Sequence, residues 1–377
     1  MKILVRVVVV SLLFVGCDKG GGSFSVLSES ASFQQEITYT PRKLDVLFVV
    51  DNSGSMDSYQ QALVNNFSTF IDRFITKGYD FRIAITTSEA YRYEQLAKTG
   101  NCFSFCEESR VQFRRGSLSN PYVIDKASYD LTTNAGKNLL KNDFIANAHM
   151  GTDGSGDERS FSSFMAALKY HTNNNGTPSP NKDFHRPGAF LAVVIISDEE
   201  DFSQNGVGGL NESYSNVNLV PVATYKTSLE TFTGGLAGTD FTVSTISILD
   251  QACLNVLDPN NQTNPGASIG RKIGTRYKQL ADLTGGTKNS LCNSFDTSLD
   301  NISDSIEGLS DAEFVLNKAP VVASIKLLID GALVPQSPTE GWSYIAASKT
   351  VKINGSIYKP AAGAIIQLTF DPDLSTP

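Results

Sequence analysis

An apolar run in "DVLFVV", Val46 to Val50, ends at Asp51, and behind it Leu63, Phe67, Phe70 and Phe74 recur at i, i+4, i+7 and i+11 until Gly78. The first pattern predicts a buried strand and the second a helix with one core-facing stripe and a glycine stop. Strands are expected again at 81–87 ("FRIAITT"), 190–197 ("FLAVVIIS"), 241–249 ("FTVSTISIL") and around 287–291. Helices are expected at 219–232, at 276–286 ("RYKQLADLTGG"), and in a closing segment carrying Phe295, Leu299, Ile302 and Ile306. The 190–197 run has no polar residue before Ser197, as suits the middle of a parallel sheet covered on both faces. This alternation predicts an α/β domain over 43–312, a doubly wound and mostly parallel sheet flanked by helices. Residues 88–150 and 202–218 exceed ordinary connections and read as insertions.

From about Ala319 the period changes. "VVASIKLLIDGALV" sets a DG turn between apolar strands, "KTVKINGSIY" an NG turn, and "GAIIQLTF" alternates. Residues 313–377 are therefore expected to form a small all-β, sandwich-like domain anchored by Trp342 and Tyr344. At the other end, "MKILVRVVVVSLLFVGC" has a basic start and an apolar run too short to span a bilayer. It reads as an export signal over 1–16. Its ending resembles a bacterial lipobox, which implies lipidation at Cys17 and an envelope lipoprotein, in the inner or the outer membrane. The Gly- and Ser-rich residues 17–42 read as a flexible tether.

The chain has 377 residues and a formal charge of -8. With no basic stripe, that balance speaks against a nucleic-acid partner. Export makes the four remaining cysteines, Cys102, Cys106, Cys253 and Cys292, candidates for two disulfides. Four cysteines permit three connectivities. Proximity favours Cys102–Cys106. Cys253 and Cys292 each follow one of two successive strands, whose loops should leave the sheet on one side. No paired CxxC spacing supports a zinc site.

Candidate chemistry begins where the first strand ends. In an α/β sheet, ligands sit outside the carboxyl ends of the strands. Asp51 emerges there, and Ser53 and Ser55 follow on a turn eased by Gly54. Alternate residues of an extended loop project to one side, so one carboxylate and two hydroxyls can converge. That hard, oxygen-only set suits Mg²⁺, with Mn²⁺ or Ca²⁺ as alternatives. A helix N-cap would use the same residue types.

Here the chain resembles the von Willebrand factor type A domain and its metal-ion-dependent adhesion site. The family motif Asp-x-Ser-x-Ser is met by Asp51, Ser53 and Ser55. The resemblance implies a further Asp at the end of a core strand, which Asp198 of "VVIISDEED" matches. It also implies a Thr from a second loop. In "MGTDGSGDERSF", Thr152 has that chemistry and Ser155 the better spacing from the following helix. Glu199, Glu200 and Asp201 read as a solvated loop or outer surroundings of the site. The resemblance covers roughly 43–312 and implies adhesion: the cation keeps net positive character and is completed by an Asp or Glu of a protein partner. With no P-loop, and with "DNSGS" lacking the DxD pattern of aspartate-nucleophile phosphatases, the chain is expected not to be an enzyme. A metal-stabilised envelope scaffold is the main alternative, and a Mg²⁺-dependent hydrolase a further one.

Overall fold

The structure, a computed structural model, describes residues 33–102, 104–206, 212–259, 270–309, 312–355 and 357–373. The expected leader, Cys17 and the first part of the tether lie outside the described residues. The end of the supposed tether is ordered: Phe33–Thr38 forms strand β1, paired antiparallel along its whole length with a strand of the C-terminal unit. Its alternating half-buried and exposed positions place Phe33 and Ile37 against that unit's core. Residues 33–38 thus belong to the β unit and not to a tether.

The α/β part is built on a six-stranded mixed sheet. Its strands are β2 (Leu44–Val50), β3 (Phe81–Thr87), β4 (Val123–Asp125), β5 (Phe190–Ser197), β6 (Phe241–Ser247) and β7 (Lys288–Ser290). Their order across the sheet is β4-β3-β2-β5-β6-β7. Four neighbouring pairs run parallel, and the edge pair β3–β4 is antiparallel. Every residue of β2 and β5 is buried, which accounts for the apolar runs at 46–50 and 190–196.

Alternation along β2 splits the core in two. Leu44, Val46, Phe48 and Val50 face one layer, while Leu47 and Val49 face the other. The first layer is closed by α1 (Asp57–Thr76) and α2 (Asn134–Ala148), and the second by α3 (Ser160–Lys169) and α4 (Val222–Thr233). The short helix α5 (Gln251–Leu257) adds Cys253 and Leu254 to the first layer. Helix α6 (Thr275–Thr284) joins the second, and α7 (Phe295–Leu309) the first, where Phe295, Leu299, Ile302 and Ile306 are all buried. The glycine stop of α6 is Gly285, with φ +68°, a left-handed conformation that glycine adopts without a Cβ penalty.

Residues 88–150 are only partly an insertion. Strand β4 extends the sheet, and α2 covers it through Leu140 and Phe144, which are fully buried. The Phe144 ring stacks on Phe67 and meets Phe48 edge-on at 5.3 Å between centroids.

The C-terminal unit adds β8 (Ala312–Val315), β9 (Lys326–Ile329), β10 (Ala332–Val334), β11 (Gly341–Ile345), β12 (Thr350–Asn354) and β13 (Ile365–Phe370). They make two antiparallel sheets, β1-β13-β9-β10 and β11-β12-β8, around one shared core. Trp342 is buried there and Tyr344 packs at its margin. The DG turn joins β9 to β10, with positive φ at Asp330 and Gly331, as a tight hairpin requires. The NG turn does not make a hairpin. Asn354 ends β12, whose partners are β11 and β8, and Gly355 follows it. The Asn354 amide donates to the Ser337 carbonyl at 2.8 Å, committing the residue to a loop contact.

Candidate metal centre

Strands β2 and β5 are adjacent and end together, with Val50 opposite Ile196. From β2 the chain builds outward to β3 and β4, and from β5 to β6 and β7. The strand order reverses between them, the place where open α/β sheets leave a crevice. Asp51 and Asp198 therefore emerge side by side, and both are fully buried.

The Asp51 carboxylate accepts from the Ser53 backbone N–H and from the Ser197 hydroxyl, each at 2.7 Å. The hydroxyls of Ser53 and Ser55 lie 3.2 Å apart, and Ser55 donates to Asp198 Oδ1 at 2.9 Å. Four of the expected residues thus form one hydrogen-bonded chain linking the two strand ends. The capping alternative fails on geometry. The N-cap of α1 is Met56, with no side-chain cap hydrogen bond, so Ser53 and Ser55 are not used for capping.

The second loop is stitched to the motif rather than directed into it. Gln60 donates to the Gly151 carbonyl at 2.9 Å, and Gly154 N–H to the Asn52 carbonyl at 2.9 Å. Thr152 is half-buried between these two ties. Ser155 is brought elsewhere: its backbone N–H donates to Glu89 at 2.6 Å, and its hydroxyl accepts from Arg92 at 3.0 Å.

Three features of the site were not read from the sequence, and for a fourth, one of two alternative readings fails. Arg271 holds the other oxygen of Asp198 at 2.8 Å. Glu89 is wholly buried and paired with Arg110 at 2.6 Å. Glu158, on the second loop just before α3, is 2% exposed, and neither of its carboxylate oxygens has a hydrogen-bond partner among the described residues. Finally, "DEED" is not a solvated loop, since Glu199, Glu200 and Asp201 are all buried. Asp201 accepts the Phe161 N–H in the first turn of α3 and pairs with Arg276. Glu200 accepts the Arg276 N–H in the first turn of α6 and the Tyr214 hydroxyl. Carboxylates at helix N-termini satisfy orphan donors and complement the dipole. No local sequence signal announces this, because the helix residues they serve lie 40 and 76 residues away.

Burial raises the Asp51 carboxyl from its ordinary 3.8 to about 6, and the Asp198 charge adds to the rise. Burial likewise lifts Glu199 to about 8, with Asp51 and Asp198 contributing. Glu158 is held well above the usual carboxylate range by burial, then by Asp51 and Glu199. Each of these acids, when ionised, is desolvated and close to others of its own sign. A cation relieves both penalties at once.

The donor set fits a hard divalent cation: carboxylates at 51 and 198 and hydroxyls at 53 and 55. Among the described residues, no three His, Cys, Asp or Glu side chains stand ready as a metal cluster. The set depends on the serine hydroxyls. The two expected disulfides are present, Cys102–Cys106 and Cys253–Cys292, with Cα atoms 6.3 and 5.7 Å apart.

No family model matches the chain, and no curated protein matches it. Among solved structures it is similar to the pilus adhesin SpaC of Lactobacillus rhamnosus GG in its open conformation. That similarity has a TM-score of 0.38 and 10% identity, over 89% of this chain and 40% of that one. It is also similar to proximal thread matrix protein 1 of the mussel byssus, with a TM-score of 0.35 and 12% identity, over 74% of this chain and 51% of that one. The chain spans about half or less of the length of these proteins.

Proposed function

We propose that the α/β part is a doubly wound domain of the von Willebrand factor A type, and that it binds a protein partner through a divalent cation, Mg²⁺ in the first instance. Asp51, Ser53, Ser55 and Asp198 are the residues that hold the ion. When bound, the ion supplies a Lewis-acidic position that an Asp or Glu side chain of the partner completes. The observation that carries this reading is the convergence of those four side chains at the ends of β2 and β5, joined by the 2.9 Å contact of Ser55 with Asp198. The protein's own contribution is to fix the donors. Ser53 N–H and Ser197 orient the Asp51 carboxylate, and Arg271 orients Asp198.

In this reading the protein acts in adhesion or assembly and is not an enzyme. It is an exported lipoprotein anchored in the cell envelope through Cys17, and two disulfides suit such an oxidising compartment. The test is capture from an envelope extract on soluble residues 18–377, in Mg²⁺ and in EDTA, with Asp51→Ala alongside. The expected result is a protein retained only by the wild type in Mg²⁺. Retention indifferent to EDTA and to Asp51 overturns the reading and moves binding to another surface.

A further inference from the structure

We propose that Glu158 supplies the second-loop ligand of the metal centre, the part that the sequence assigns to Thr152 or Ser155. This rests on the metal-binding reading above and names a residue which that reading lacks.

The geometry of the second loop argues against the two hydroxyls. Ser155 is held by Glu89 through its backbone and by Arg92 through its hydroxyl. Its one polar side-chain atom is already employed away from Asp51. Thr152 sits between Gly151 and Asp153, both of which are exposed, so it lies at the rim of the loop and not at the depth of the buried Asp51. The ties at Gly151 and Gly154 hold it there.

Glu158 has the opposite properties. Its backbone carbonyl accepts from Phe202 N–H at 3.0 Å, so the segment is pinned to the loop that carries Asp198. Gly154, earlier in the same loop, is pinned to Asn52 in the Asp51 motif at 2.9 Å. The stretch 154–158 therefore bridges the two halves of the site. The Glu158 side chain is 2% exposed, and both of its oxygens lack hydrogen-bond partners among the described residues. The Ser88 hydroxyl lies near enough to ease its charge, but it is directed to Asn52 Oδ1 at 3.5 Å. The acids that act on Glu158 most strongly are Asp51 and Glu199. A buried carboxylate with nothing to accept from is a costly arrangement. It persists where a positive ligand offsets the cost, and the cation already assigned to Asp51 is that ligand. The acids do not stand as a closed cluster among the described residues. Glu158 therefore reaches the ion by a change of rotamer or through one of the waters that Mg²⁺ retains.

The added carboxylate changes the character of the site. With Asp51, Asp198 and Glu158 ionised and Arg271 paired to Asp198, a divalent ion brings the local charge to about zero. The ion is held more tightly, and an acidic partner is recognised by coordination at short range rather than by long-range attraction.

The test is calorimetric titration of Mg²⁺ and Mn²⁺ into chelator-stripped mature protein, comparing wild type with Glu158→Gln, Ser155→Ala, Thr152→Ala and Asp51→Ala. Melting temperatures in EDTA accompany each titration. Loss of a ligand should cost at least the ten- to hundredfold in affinity typical of an outer-shell partner. Glu158→Gln is therefore expected to weaken Mg²⁺ binding about tenfold or more while melting in EDTA at or above the wild-type temperature. Ser155→Ala and Thr152→Ala are expected to stay within about twofold of wild type. If Glu158→Gln binds like wild type while Asp51→Ala does not, the proposal falls and the metal centre stands. If Glu158→Gln melts lower in EDTA, its role is structural and the proposal also falls. If wild type binds neither ion, the metal reading itself fails and this inference with it.

Discussion

Replacing Asp51 by Asn should stabilise the protein in chelator, although it removes the central residue of the site. Asn preserves the shape and most of the bonding. Its carbonyl oxygen can accept the Ser53 N–H, and its amide can face the Ser197 hydroxyl, which accepts as well as donates. What disappears is a buried negative charge beside Asp198. The rise of the Asp51 carboxyl from 3.8 to about 6 corresponds to about 3 kcal/mol against the ionised form in the fold. A carboxyl whose folded value is raised binds more protons folded than unfolded. Its contribution is favourable below about 3.8 and is lost as pH climbs through about 6. At pH 8 wild type therefore bears the whole penalty and the Asn variant none. With roughly 2–4 °C per kcal/mol for a domain of this size, the variant should melt roughly 6–12 °C higher in EDTA. The gain should shrink towards zero near pH 4. The assay is thermal unfolding in EDTA at pH 8, 6 and 4, repeated in excess Mg²⁺. In Mg²⁺ the order should narrow or reverse, because only wild type gains stability from the ion. A variant that melts at or below wild type in EDTA at pH 8 would refute the claim that Asp51 is held charged at a cost.

Other perturbations test the scaffold. Phe144→Ala, which removes a ring enclosed by Phe67 and Phe48, should cost about 3–5 kcal/mol in denaturant unfolding; a cost under about 1 kcal/mol would mean that α2 is not part of the core. Removing Cys253–Cys292, which closes 39 residues, should cost about 4 kcal/mol, against about 2 kcal/mol for the four-residue Cys102–Cys106 loop. The paired Cys→Ala variants, compared in the same denaturant series, give that ranking, and equal costs would contradict it. Deleting the chain through Thr38 strips β1 from β13 and uncovers a sheet edge. Limited proteolysis should then cut the C-terminal unit sooner, whereas the loss of a mere tether would leave the cleavage rate unchanged.

What could be read from the sequence is what local periodicity encodes. The unbroken runs at β2 and β5 and the Phe67–Phe70–Phe74 stripe are visible because each element buries a face that its own spacing reveals. Helix α2 escaped because Leu140, Phe144 and Ala148 are its only buried apolar residues among Asn, Lys and Gly. Strand β1 escaped because an edge strand buries one side only, and its Phe-Gln-Gln-Glu-Ile alternation lies next to a Gly- and Ser-rich stretch.

The candidate site divides along the same line. Asp51, Ser53, Ser55 and Asp198 lie at strand ends that apolar runs announce, and the fold brings them together. The acids at 89, 158, 199, 200 and 201 look like surface residues in isolation, and only tertiary structure buries them. Two of those acids, Glu200 and Asp201, are fully employed at helix N-termini and by arginine. Glu89 is taken up by Arg110, Ser155 and Asn52. Glu158 is left with no such employment. A fold that sets its neighbours Glu89, Glu200 and Asp201 against donors, and leaves a buried acid near Asp51 with none, identifies where a positive ligand is still required. Residue type and spacing pointed to a hydroxyl on the second loop; the accounting of donors points to the carboxylate of Glu158, a little further along the same loop.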